Sequence, residues 1–167
     1  MTFMRSVDVL TLVSALGCGL TAGFFFAFSI CVMKALARLP APHGIAAMQS
    51  INVVVINPWF MTAFFGTAAA CVAAVATSIS RWDDPRAWYW LGGGVLYLAG
   101  AILVTIVFNV PRNNALAALA PSSSEAARLW IDYLSTWTAW NHVRTISSLL
   151  AALLFTMAFR MRTGTGF

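Results

Sequence analysis

The stretch WTAWNHVRTISSLLAALLFTMAF, residues 137–159, decides the fold class of this chain. Its second part, from Ile146 to Phe159, is an apolar run without a charged residue, and it predicts a membrane-spanning helix over residues 143–159. Its first part carries two tryptophans, an asparagine, a histidine and an arginine. A fixed cation at the mouth of an apolar run is costly and needs a reason from the rest of the sequence.

The composition extends the membrane assignment to the whole protein. Hydrophobic residues make up 60% of the 167 residues and charged residues only 9%, whereas soluble domains carry about 25% charged residues. We therefore predict an integral, multi-pass membrane protein whose main partner is the lipid bilayer. The net charge is +5, but the basic residues stand singly at the ends of apolar runs, which argues against nucleic acid as a partner.

Four apolar runs are long enough to cross a membrane: residues 7–36, 58–80, 88–108 and 143–159. The expected fold is all-α, a four-transmembrane-helix bundle in a single membrane domain covering residues 1–167. A short interfacial helix is expected after the first span, in IAAMQSINVVVIN, residues 45–57. A long connection, from Val110 to Thr136, precedes the fourth span. Ser122 and Glu125 are spaced as in a capping box, which would start the last helix near Ser124.

Fewer features of the sequence bear on the orientation of the protein in the membrane and on its oligomeric state. With four spans, both termini share one side with the short loop from Arg81 to Arg86. Because short loops and tails weigh most in the positive-inside rule, we expect both termini in the cytoplasm and the protein in the plasma (inner) membrane. Gly19 and Gly23 form a small-xxx-small motif, which suits packing inside one bundle and a homo-oligomer equally well.

Amide and imidazole side chains collect at one end of the predicted bundle. That end carries Gln49, Asn52, Asn57, Asn109, Asn113, Asn141, His43, His142 and Arg144, and the other end has no asparagine, glutamine or histidine. Trp137, Asn141 and Arg144 are spaced by four and three residues, which places them on one helical face. Pro111 lies between Asn109 and Asn113, where we expect it to disrupt the helix and free backbone carbonyls.

These residues predict a pocket between helix ends for a flat, apolar aromatic molecule with a few oxygen acceptors. Arg144, Asn141 and Asn109 are the candidate catalytic donors that would hold a developing phenolate or enolate. His142 is the candidate proton acceptor, although an ideal helix points it about 100° away from Asn141. The candidate substrate-binding residues are Trp137, Trp140, Asn113, Asn52, Phe28 and Trp59.

Structural roles explain several of these residues equally well. Tryptophans near span ends commonly anchor the membrane interface, and an arginine one turn inside a span can extend its guanidinium to the headgroups. His43 and His142 are the two histidines of the chain, and no set of ligands with metal spacing accompanies them, so no metal or other cofactor is predicted. A haem or copper centre that uses both histidines stays open as an alternative.

Five motifs, in this order, resemble the anthrone-oxygenase-like family of small four-helix integral membrane proteins: AGFFFAFSICVMKAL, MQSIN, INPWF, VTIVFNVPRNNALA and WTAWNHVRT. The resemblance covers about Gly17 to Leu154, and Lys34 departs from it where relatives often have proline. It implies a monooxygenase that oxidises an anthrone to an anthraquinone with dioxygen and without a cofactor. The matching motif residues are Asn109, Pro111, Asn113, Trp137, Trp140, Asn141 and Arg144.

Three hypotheses follow for the function. The first is a membrane-embedded, oxygenase-like enzyme that oxidises an anthrone- or quinol-type substrate through a stabilised carbanion or phenolate. The second is a protein without enzymatic activity that binds a small molecule, a lipid or a quinone. The third is a haem- or metal-binding membrane protein that uses His43 and His142.

Overall fold

The computed structural model describes residues 2–163, and these residues are helical apart from short turns, with no strand among them. The helical segments are Thr2–Ala27, Phe28–Val32, Met33–Leu36, Ala41–Val54, Pro58–Ser80, Ala87–Tyr97, Leu98–Leu103, Thr105–Asn109, Val110–Ala117 and Ser124–Thr163. Four stretches within them are long and apolar enough to cross a membrane: span 1, Ser6–Leu36; span 2, Pro58–Ser80; span 3, Ala87–Ala117; and span 4, Ser124–Met161. The predicted all-α bundle of four membrane-spanning helices is confirmed.

The four spans form a square in cross-section. Span 1 and span 3 each pack against both span 2 and span 4. The apolar core between the spans includes Cys18, Cys71, Tyr97 and Phe155, all fully buried. Since neighbouring spans in the chain are also neighbours in space, short connections suffice to build the bundle.

A second apolar cluster forms around the short helix Ala41–Val54, which confirms the helix predicted after the first span. Ile45 and Met48 of this helix pack with Leu116 and Trp130. The Gln49 Nε2 atom donates to the carbonyl oxygen of Leu116 at 2.8 Å and to that of Leu119 at 3.0 Å. The short helix therefore caps the end of span 3, whose last carbonyls have no partner within their own helix.

Span 3 continues through Pro111, contrary to the disruption expected there. Two wide, π-helical segments, Leu98–Leu103 and Thr105–Asn109, come directly before the α-helical segment Val110–Ala117. Pro111 stands in the first turn of that last segment, where a missing N–H is tolerated. The carbonyl oxygen of Phe108 accepts a hydrogen bond from Arg112 Nη1 at 2.7 Å.

Most of the predicted long connection between Val110 and Thr136 is helical, since only residues 118–123 separate spans 3 and 4. The last helix begins at Ser124, and its cap is Ser123 instead of Ser122: Ser123 Oγ accepts from the backbone N–H of Ala126 at 3.1 Å. The beginning of this helix buries Ala126, Trp130 and Tyr133 against the short helix. Packing on a single face stabilises a helix that lacks a continuous apolar run.

At the opposite end of the bundle, Arg86 holds the short loop to span 1. Its Nη1 atom lies 3.0 Å from Asp8 Oδ1, and its Nη2 atom lies 2.8 Å from Asp84 Oδ2. The guanidinium also covers the Trp90 ring, 4.7 Å from its centroid. The hydrogen bond from Arg86 holds the pKa of the Asp84 carboxyl below its usual value, and the same contact raises the pKa of Arg86.

The small-residue motif of span 1 is not used within the bundle. A Cβ atom added at Gly19 or Gly23 would meet no atom within 4 Å, whereas one at Gly17 would meet Thr67 of span 2. The close approach of span 1 to span 2 therefore depends on Gly17. A homo-oligomer through Gly19 and Gly23 stays a prediction.

Candidate functional site

A cavity of about 280 Å³ lies at the end of the bundle where the amides collect. Six phenylalanines form much of its wall, three from span 1 and three from span 2: Phe24, Phe25, Phe28, Phe60, Phe64 and Phe65. The polar groups of the wall come from Asn52, Thr105, Asn113, Trp137 and Arg144. An apolar, aromatic wall with a few placed polar groups is typical of a small-molecule site, and this volume is near the lower limit of about 300 Å³ for such sites.

Arg144 is the charged residue of the cavity wall and is only 5% exposed. Its guanidinium carbon lies 4.2 Å from the centroid of the Phe25 ring and 5.0 Å from that of Trp137. Its Nη2 atom donates to Asn141 Oδ1 at 2.7 Å and its Nη1 atom to Thr105 Oγ1 at 3.2 Å.

The hydrogen-bond partners of Arg144 are neutral, and its buried Nε atom has no partner. At the other end of the bundle, by contrast, Arg86 pairs with the carboxylates of Asp8 and Asp84. A buried charge without a counter-charge is unfavourable. The arrangement therefore favours an anion, or an oxygen that gains negative charge, beside Arg144.

Asn141 positions Arg144 and does not line the cavity. It is fully buried, and its Nδ2 atom donates to the Phe25 carbonyl oxygen and to Ser29 Oγ, each at 2.7 Å. These two bonds fix the amide so that Oδ1 faces Arg144. Phe25 lies just before the wide segment Phe28–Val32 of span 1, and such segments are frequent at functional sites.

Asn113 lines the cavity, and Asn109 lies behind it. Asn113 Oδ1 accepts from Trp137 Nε1 and from the Tyr133 hydroxyl, each at 2.8 Å, which leaves Nδ2 as the group that Asn113 can offer to a ligand. Asn109 is buried, and its Nδ2 atom donates to the Trp137 carbonyl oxygen at 3.2 Å. Both asparagines thus hold Trp137 in place, one by its ring and one by its backbone.

Asn52 and Phe28 also lie in the cavity wall. The Asn52 Nδ2 atom is buried and has no hydrogen-bond partner. The Phe28 ring lies 5.9 Å from the Trp137 ring, centroid to centroid. Together with Arg144 and Asn113, Asn52 makes the polar part of the wall rich in donors, which suits a ligand with oxygen acceptors.

Two of the predicted aromatic contacts do not line the cavity. Trp59 is 88% exposed, because Phe60 and Phe64, four residues apart, take the inward face of span 2 and stack on each other. Trp140 stacks on Phe108 instead, with centroids 3.6 Å apart and the rings within 6° of parallel. Trp59 points outward from the first turn of span 2, which suits a tryptophan that anchors the membrane interface, and Trp140 joins span 4 to span 3.

The histidines also lie away from the cavity. His142 is exposed and lines a separate groove between spans 1 and 4 with Ser29 and Lys34, as its angle from Asn141 on the helix requires. His43 is exposed on the short helix. Within the described part of the chain, no three histidine, cysteine or acidic side chains are grouped so that they could hold a metal ion.

Tyr133 and Thr105 are among the residues of the site that were not predicted from the sequence. Tyr133 binds Asn113, and Thr105 binds Arg144. Tyr133 had a signal in the spacing, because it precedes Trp137 by four residues on a regular helix and therefore shares its face. Thr105 had no such signal, because it begins a wide, π-helical segment across which a spacing of four residues does not keep one face.

A family model described as anthrone oxygenase matches residues 59–154, more than half of the chain. The matched segment contains Asn109, Asn113, Trp137, Asn141 and Arg144. The cavity residues of span 1 and of the short helix precede it. No curated protein and no solved structure matches this chain.

Proposed function

The chain belongs to the anthrone oxygenase family, and from this premise we propose that it is a membrane oxidoreductase that oxidises a flat aromatic, anthrone- or quinol-type substrate with dioxygen. The observation that carries the proposal is Arg144, a buried cation with neutral partners at the wall of an aromatic cavity. The phenylalanines and Trp137 would hold the rings of the substrate. Arg144 would hold the oxygen on which negative charge develops.

The reaction balances without a separate reductant. Loss of a proton from the benzylic C–H of an anthrone leaves an enolate, and its oxygen carries the charge that Arg144 stabilises. The enolate reduces dioxygen; one oxygen atom forms the new carbonyl group, and the other leaves as water with the two benzylic hydrogens. The product is an anthraquinone.

The role of the side chains is to make the substrate more acidic. Among the side chains of residues 6–161, the cavity wall contains no carboxylate and no histidine that could act as a general base. Arg144 therefore contributes by lowering the pKa of the substrate, so that water at the mouth of the cavity accepts the proton. Asn141 is a positioning residue, because it acts through Arg144.

The test is anthrone oxidation by the protein in lipid nanodiscs, followed by absorbance and oxygen consumption, with empty nanodiscs as the blank. Arg144→Gln is expected to lower kcat/KM by about two orders of magnitude, the cost of losing one strong donor to an oxyanion. Arg128→Gln is the matched control, since Arg128 is exposed on the same helix. Equal rates for wild type and Arg144→Gln would sink the proposal.

The lack of a general base in the cavity wall also favours a second candidate function, binding of the same class of molecule without oxidation. In that case a quinone or a related aromatic compound should co-purify with the protein. Mass spectrometry of the extracted ligand would identify it. Oxygen consumption no faster than that of empty nanodiscs would then separate the binder from the enzyme.

A further inference from the structure

The packing between spans 2 and 3 differs between their two ends. It is concentrated where span 2 meets Ala87–Tyr97 and Leu98–Leu103 of span 3. There, a Cβ atom on Gly94 would lie 2.9 Å from the Cys71 carbonyl oxygen and would also meet the Val75 side chain. A glycine at this contact allows the two backbones to come close together.

Nearer the cavity, spans 2 and 3 carry large side chains at positions where the close contact has a glycine. Phe65 of span 2 is 52% exposed and Ile106 of span 3 is 57% exposed, yet both also line the cavity. A side chain that reaches both the cavity and the outer surface marks an opening between them. We call the gap between spans 2 and 3 at Met61, Phe65, Ile106 and Val110 the interspan cleft; all four line the cavity.

The interspan cleft opens toward hydrocarbon. Its four side chains are apolar, and Trp59, exposed in the first turn of span 2, marks the membrane interface. Phe65 lies seven residues after Pro58, about 10 Å further along the helix axis. The opening therefore lies on the bilayer side of the interface, where the surrounding medium is acyl chains.

We propose that the interspan cleft is the route by which the ligand reaches Arg144 from within the bilayer, and that Phe65 and Ile106 limit its width. This inference rests on the proposed function only for the class of ligand, a flat and apolar aromatic ketone. Such a molecule is concentrated in the hydrocarbon, because burial of apolar surface is favourable. Its oxygen would then meet the donors of the cavity wall, which are absent from the cleft.

The experiment uses benzophenone, an apolar aromatic ketone that photolabels methionine, with the full chain in lipid nanodiscs. Met48 is the reporter, because it is fully buried and lines the cavity. Ile106→Trp should lower the initial rate of Met48 labelling by about an order of magnitude, since the larger aromatic side chain fills the opening. Val107→Trp is the matched control, because Val107 is adjacent and exposed but does not line the cavity.

A competing route is built into the same experiment. Ile56 is 70% exposed, lines the cavity and lies in the turn before span 2, at the aqueous end. If Ile56→Trp lowers the labelling of Met48 and Ile106→Trp does not, the ligand comes from the aqueous side and the inference is overturned. Phe65→Trp, from the other side of the interspan cleft, replaces Ile106→Trp if that variant does not fold.

The route and the proposed function can fail separately. Labelling of Met48 requires no oxidation of the ligand. A protein that does not consume oxygen can therefore still be labelled more slowly in the Ile106→Trp variant, and in that case the route stands. Conversely, anthrone oxidation with unchanged labelling in both Ile106→Trp and Phe65→Trp would leave the function in place and overturn the route.

Discussion

The Nη2 atom of Arg144 donates to Oδ1 of Asn141 at 2.7 Å, one helical turn earlier in span 4. Because the Asn141 amide also donates to Phe25 and Ser29, the position of the guanidinium depends on span 1 as well as on its own helix. The neutrality of this partner matters: an amide fixes the direction of Arg144 and leaves its charge for a ligand.

We predict that Asn141→Asp weakens ligand binding although it changes few atoms. A carboxylate beside Arg144 would neutralise the charge that the cavity offers to an oxygen acceptor, and it could no longer donate the hydrogen bonds to Phe25 and Ser29 that position residue 141. The affinity for anthraquinone, measured by titration calorimetry in nanodiscs, should fall about tenfold, or about 1.4 kcal/mol. Asn114→Asp introduces the same charge on an exposed asparagine of span 3 and should leave the affinity unchanged. Equal affinity in both variants would contradict the charge argument.

Asn113→Leu should destabilise the protein although the two side chains are similar in size. The substitution removes the acceptor of Trp137 Nε1 and of the Tyr133 hydroxyl, two donors on buried side chains. Buried donors without a partner cost about 1–3 kcal/mol each, so we expect a loss of at least about 2 kcal/mol in the free energy of unfolding. Thermal unfolding in detergent measures it, with Asn114→Leu as the exposed counterpart. A difference below about 0.5 kcal/mol would show that water replaces Asn113.

Stability should depend on pH through Asp84 and Arg86. The hydrogen bond from Arg86 lowers the pKa of Asp84 in the folded protein, so the contact contributes stability above the unfolded pKa of about 3.9. That contribution is lost as the pH falls through the lower pKa of the folded state. The melting temperatures of wild type and Asp84→Asn should therefore differ near neutral pH and converge in acid. A constant difference down to the most acidic pH would refute this role.

Gly94→Ala tests the close contact between spans 2 and 3. The added methyl group would lie 2.9 Å from the Cys71 carbonyl oxygen, a backbone atom that cannot move without shifting span 2. We expect a destabilisation of about 1–3 kcal/mol, as for other overpacked sites, in an unfolding titration in mixed micelles. Gly66→Ala on span 2 meets no atom within 4 Å and should be neutral or slightly stabilising. The prediction fails if both variants unfold alike.

The sequence predicted the four spans because each needs a long apolar run, and it predicted the shared face of Trp137, Asn141 and Arg144 because all three belong to one regular helix. It also predicted the start of the last helix near Ser124, but not the residue that caps this helix, which is Ser123, nor the contact of its first turns with the short helix. Contacts between elements distant in the chain leave no periodic signal of their own.

Side-chain direction was harder to predict for two physical reasons. Trp59 lies beside Phe60, and the sequence does not show which of the two faces the bundle, because that depends on the rotation of span 2 relative to its neighbours. In span 3 the wide turns at Thr105–Asn109 change the angle between successive residues, so counting by 3.6 residues per turn fails across them. The local preference of proline predicts a break at Pro111, whereas the wide turns before it let the helix continue.

The position of Phe65 and Ile106 in the interspan cleft determines which concentration of a substrate governs the reaction, that in water or that in lipid. If lipid is the medium outside the cavity, what matters is the mole fraction of substrate in the bilayer, and its amount per volume of water matters only through partitioning. Doubling the lipid at fixed amounts of protein and substrate would dilute the substrate and slow the reaction below saturation. For this protein, the bilayer is then both the support and the solvent of the reaction.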